Sequence, residues 1–180
     1  MMRRTLLLSL AGLFISWSAT LAQEPPQMPK PGPEVQRLGY FVGKWQGEGE
    51  LKPGPFGPGG KFTTSDNNEW FTGGFFLVMR SDEKSPMGNG QSMMVVGYNA
   101  EQKVYTFHSI DSMGEAETAT GTVQGDTWTW LGESKMGGRS LKSRFTLKEL
   151  SPTSYSMKLD MSTDGTNWMT MMEGKATKVK

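Results

Sequence analysis

The chain has no cysteine, a single histidine and no excess of charge of either sign. Without cysteine it can form neither a disulfide framework nor a thiolate metal site, so stability must come from packing and backbone hydrogen bonds. With only His108, the H-E-x-x-H pattern and the Cys/His spacings of zinc sites are absent. No G-x-S-x-G elbow presents a hydrolase nucleophile, and no motif calls for a cofactor. A formal net charge of +1 gives no field that would gather nucleic acid or an anionic membrane surface. Spanning a bilayer takes about 20 apolar residues, and no run reaches that length.

The longest apolar stretch is Leu6 to Ile15, broken only by Ser9 and Gly12. Arg3 and Arg4 precede it, and the small residues of Ala19-Thr20-Leu21-Ala22 follow. That order of charge, apolar run and small residues predicts a cleavable signal peptide over 1–22 and a periplasmic or secreted product. Losing Arg3 and Arg4 would tip the remainder slightly acidic, since the whole chain holds 19 basic and 18 acidic residues. Residues 23–33, QEPPQMPKPGP, read as a proline-rich linker that cannot pair into a sheet. Residues 34–180 are then one domain.

Glycine and methionine are abundant, at 23 and 14 residues. Glycine suits short strands with many turns. Glu34 to Val42 predicts one short helix, opened by Pro33 and ended by Gly43. Ten strands are expected beyond it, near 44–52, 61–71, 74–82, 90–98, 104–111, 116–123, 127–132, 141–150, 155–162 and 167–178. Turns fall at Gly125-Asp126, Ser151-Pro152-Thr153 and Asp164-Gly165. With no helix available for a parallel crossover, the sheet must be antiparallel. Tyr155, Met157, Leu159 and Met161 alternate with polar neighbours, as do Ser143, Phe145 and Leu147. On the first strand Trp45, Gly47, Gly49 and Leu51 share the inward face, and its glycines let the sheet curl and close. The fold class is all-β, a closed antiparallel barrel of about ten strands with a short N-terminal helix.

The sequence Gly43-Lys44-Trp45-Gln46-Gly47-Glu48-Gly49 after a short helix resembles the first strand of calycin-type barrels, nitrobindin-like proteins among them. Over roughly residues 34–178 the chain resembles an exported bacterial family catalogued as domain of unknown function 1579. The segments Phe71 to Leu77, Gly97-Tyr98-Asn99 to Tyr105, and His108 to Gly114 carry that resemblance. It implies a lipocalin-like barrel and no particular activity. Nitrobindin-like proteins hold haem through a histidine near the C-terminus. The last strand here, Asn167 to Glu173, contains none, so that function does not transfer.

The aromatic residues mark the candidate site. Trp45, Trp70, Trp128, Trp130 and Trp168 either fill the barrel or line a hydrophobic cavity for a small apolar or amphipathic ligand. Arg80 would meet an acidic headgroup if Phe76, Val78 and Arg80 point inward, and His108 would be a polar contact or a core residue. Two other readings compete with ligand binding. Apolar residues on both faces of 74–98 suit an envelope protein acting through its surface or by oligomerising. Met169 and Met171, two apart on one strand, suit Cu(I), and a His108-dependent enzyme completes the set of alternatives.

Overall fold

The computed structural model describes residues 29–54, 57–136 and 139–179. The expected signal segment, 1–22, and residues 23–28 of the expected linker lie outside them.

Pro33, whose missing amide is no loss at a helix start, opens helix α1 (Pro33–Arg37), with Glu34 in its first turn and Arg37 in its last. The helix tightens into a 3-10 turn (Leu38–Phe41). Gly43, at φ 112°, then swings the chain into strand β1 (Gly43–Leu51), a backbone conformation that favours glycine.

Nine further strands follow among the described residues: β2 (Gly60–Trp70), β3 (Leu77–Ser85), β4 (Gly88–Asn99), β5 (Val104–Asp111), β6 (Ala116–Gln124), β7 (Thr127–Met136), β8 (Arg139–Ser151), β9 (Ser154–Ser162) and β10 (Met169–Lys178). Each pairs antiparallel with the next, and β10 pairs with β1 to close the barrel. All ten expected strands are present. The third begins three residues later than expected because Gly73 and Gly74, at φ 96° and 73°, form a turn closed by the Phe71 amide on the Phe76 carbonyl at 2.8 Å.

The barrel has two unlike ends. At one, α1 and the 3-10 turn act as a stopper, with Leu38 and Phe41 buried. Trp45 packs on Tyr155 at 4.9 Å between ring centroids, and Trp128 on Phe41 at 5.1 Å. Arg37 fastens the stopper by hydrogen bonds to the Gly125 carbonyl (2.5 Å) and Glu149 (3.1 Å), while the Trp128 indole donates to the same carboxylate at 2.8 Å. The Tyr40 hydroxyl lies 2.8 Å from the carbonyls of both Ser151 and Ser154. Burial, with the Glu149 charge nearby, pushes its pKa up to about 12, so it remains a donor. The opposite end carries the loop from Lys52 and the turns after β3, β5 and β9. That loop rests on the β3–β4 turn, where Gly60 meets Pro86 and Gly57 meets Met87.

On the outer wall Asp160 is buried although its strand phase points it to solvent. It accepts from Thr170 (2.8 Å) and Arg144 (3.0 Å) and pairs with Lys158 (3.1 Å). Trp168 lies over the Arg144 guanidinium at 4.3 Å. Burial alone would raise the Asp160 pKa, but these hydrogen bonds outweigh it and hold the carboxyl below its ordinary value. A depressed pKa contributes stability that is fully present above the unfolded value, near 4, and is lost as pH falls toward the folded one. Asp160→Asn should therefore cost about 1.5–3 kcal/mol at neutral pH. Urea denaturation should show the gap to wild type narrowing at pH about 3, whereas an equal gap at both pH values would contradict this account.

Candidate functional site

Inside the barrel, above the stopper, lies a cavity of about 200 Å³. An apolar cavity of about 150 Å³ holds benzene, so this one has room for a larger ring system or a ring with a short tail. Leu38 and Phe41 form its floor. Its apolar wall comes from inward positions of facing strands: Phe62 on β2, Phe107 on β5, Trp130 on β7, Phe145 and Leu147 on β8, and Met157 on β9. Met79, Met94 and Met172 add flexible thioethers able to reshape around a guest.

Glycines make the room for these rings. On β6, a Cβ at Gly121 would stand 2.5 Å from the Trp130 ring, so only glycine lets that indole lie flat against the wall. On β1, a Cβ at Gly49 would meet the Phe62 ring at 2.6 Å.

The remaining wall is polar and belongs to three adjacent strands. Thr64 and Asp66 on β2, Ser81 and Glu83 on β3, and Ser92 on β4 all face inward. The register sets Asp66 opposite Ser81, Thr64 opposite Glu83, and Ser81 opposite Ser92. Ser81 donates to Asp66 at 2.5 Å, with Thr64 at 3.4 Å. Burial is the main influence on Asp66 and raises its pKa, with Asp82 adding to the rise and the two hydroxyls opposing it. Glu83 is raised by burial. Burial together with the Asp66 charge pushes Tyr155 upward, so that hydroxyl stays protonated beside the cavity.

Of the residues that the sequence marks as candidate contacts, Trp130 alone lines this cavity. Trp45 and Trp128, both 0% exposed, are packed solid beneath it. Trp70 lies outside the cavity, against Gly39 of the stopper, and Trp168 covers Arg144 on the outside. Arg80 does not reach the interior. Leu77 and Met79 take the inward phase of β3, which turns Val78 and Arg80 outward into a shallow surface groove with Phe76, Met93 and Val95. His108 likewise neither lines this cavity nor joins the core. Tyr105 and Phe107 claim the inward phase of β5, leaving His108 exposed beside Thr106 and Thr118.

The methionine pair is also split. A bulge between Thr170 and Met172 takes Met171 out of phase with Met169. Met171 is buried near Gly54, Met169 is exposed, and Met172 enters the cavity. Among the described residues no three His, Asp or Glu side chains converge to hold a metal ion. No helix among them is long and apolar enough to cross a membrane.

Asp66 and Glu83 carry no motif, yet the sequence holds a signal for them. Asp66 is in phase with Phe62, and Glu83 with Leu77 and Met79.

The barrel is similar to solved structures at low identity. A protein described as Rv2717c from M. tuberculosis matches with TM-score 0.59 and 14% identity, over 84% of this chain and 100% of that one. The S-type phycobiliprotein lyase CPES from Guillardia theta matches with TM-score 0.50 and 10% identity, over 81% and 92%. Such likeness shows the fold alone, a closed antiparallel barrel. No curated protein matches the chain. A family profile described as "Protein of unknown function (DUF1579)" matches residues 30–178.

Proposed function

Because the chain belongs to the DUF1579 family, whose description leaves activity open, we propose from its interior that it is an exported protein that binds a small apolar or amphipathic molecule inside the barrel. The observation that carries this reading is the cavity of about 200 Å³ above the stopper, walled by aromatic and thioether side chains. A barrel built only for its outer surface gains nothing from an unfilled interior, because each void forfeits packing energy. The Arg3-Arg4 charge, the apolar run and the Ala19-Thr20-Leu21-Ala22 boundary support export.

The test is calorimetric titration with naphthylmethanol, a neutral ligand of suitable size. The protein would be recovered from the cell envelope, where N-terminal sequencing should read from Gln23. Wild type is expected to bind. Met94→Trp, which fills the cavity from β4, is expected to weaken binding by about tenfold or more while retaining the barrel's circular dichroism. Equal binding by both proteins would place the ligand elsewhere and remove the proposal.

The outer groove of Phe71, Phe76, Val78, Met93 and Val95 favours a second reading, in which this face of β3 and β4 meets another protein. Phe76 is 45% exposed and Phe71 59% exposed. Sedimentation that stays monomeric up to high concentration would speak against self-association through it.

A further inference from the structure

The cavity is amphipathic, and its polar side has one sign. Asp66 and Glu83 both line it, while among the described residues no lysine, arginine or histidine does. Among the described residues neither carboxylate takes part in an ion pair, although five such pairs occur elsewhere on the molecule. The two belong to neighbouring strands and stand diagonally on the same face, since Thr64 faces Glu83 and Asp66 faces Ser81. Diagonal neighbours in an antiparallel pair are about 7–8 Å apart, a separation that one ammonium group can bridge with a hydrogen bond to each side. The hydroxyls are already committed in a useful sense. Ser81 and Thr64 both donate to Asp66, fixing its orientation and leaving lone pairs free toward the cavity.

Uncompensated carboxylates in a partly desolvated wall are unfavourable unless something positive joins them. Among the described residues nothing positive stands at that wall, and the space in front of it is open to a guest.

We infer that the cavity selects an amphipathic organic cation, an aromatic or branched apolar body that ends in an ammonium group seated between Asp66 and Glu83. This rests on the reading of the cavity as a ligand site. The rings of Phe107, Trp130 and Phe145 take the apolar body, and aromatic faces near the head add cation–π attraction. Anionic amphiphiles such as fatty acids are excluded by the same carboxylates, so selection is by repulsion as well as attraction.

Three ligands with one naphthalene ring separate the possibilities: naphthylmethylamine, naphthylmethanol and naphthylacetate, titrated by calorimetry near neutral pH. The amine should bind wild type about tenfold or more tighter than the alcohol, and the acetate should bind weakest. In the double variant Asp66→Asn, Glu83→Gln, the amine should lose its preference over the alcohol. Binding of the alcohol by the variant also reports that it is folded. If the double variant does not bind the alcohol, the two single variants replace it. Each should forfeit part of the amine preference, and an unchanged preference in both would overturn the inference. Alcohol binding without an amine preference in wild type overturns the cation and leaves the cavity reading standing, as does tightest binding of the acetate. Failure of both amine and alcohol to bind wild type overturns the cavity reading and this inference with it.

Discussion

Trp45→Ala is expected to lower the unfolding free energy by about 3–5 kcal/mol, the range for truncating a large buried aromatic. The indole is fully buried, and its Nε1 donates to the Phe41 carbonyl at 2.8 Å. The same carbonyl accepts from Asn68 Nδ2 at 2.9 Å, so β1 and β2 both grip the end of the 3-10 turn. Removing Trp45 leaves a hole against Tyr155 and Tyr40 and drops one of these two bonds. The stopper should loosen as well as the core. Urea denaturation measures the total, and amide exchange across residues 33–41 should rise out of proportion to the rest. A loss below about 1 kcal/mol would mean the site collapses to fill the void.

The second large effect is expected from adding one methyl group. Gly49→Ala would place a Cβ 2.2 Å from the Glu173 carbonyl oxygen and 2.7 Å from the Gly174 Cα. Both are backbone atoms of β10, and unlike the end of a flexible side chain they cannot step aside. Overpacking costs about 1–3 kcal/mol where side chains can adjust. With backbone on the far side, the cost should reach or pass the top of that range, because β1 and β10 must part. Gly90→Ala is the control. Nothing lies within 4 Å of its added Cβ, and a change within about 0.5 kcal/mol is expected. Similar denaturation midpoints for the two variants would refute the close-approach argument.

Much of this barrel is legible in its residues. Paired turn residues such as Gly125-Asp126 divide the strands, and clean alternation in Tyr155 to Met161 gives β9 its faces. Alternation says which residues share a face. It does not say which face is inside when both are apolar, and that is why Arg80 and His108 resist assignment. On β5, Val104 and Ile110 compete with Tyr105 and Phe107, and the larger rings win the interior. The bulge at Met171 is invisible to alternation because one extra residue reverses the phase that alternation assumes. Asp160 is buried by long side chains from β8 and β9 folding over it, a contact between residues that no local pattern places together. The acidic wall was legible in phase but disguised by composition. Thr63 to Glu69 reads as a solvated run until Phe62 is taken as its first inward residue.

The pairing of β1 with β10 also has a consequence in time. Every other pairing joins consecutive strands, so nine hairpin contacts can form from local encounters. The seam alone joins the two ends of the sheet, with Trp45 opposite Lys178 and Leu51 opposite Met172. Loop closure of that length is the slowest contact to find, and it comes only after β10 exists. Until then the sheet is an open ribbon with two unsatisfied edges, the form most exposed to pairing with a neighbour. The barrel's vulnerable interval is therefore set by when the ten residues of β10 arrive, and a chain cut short of β10 should aggregate rather than merely fold less stably.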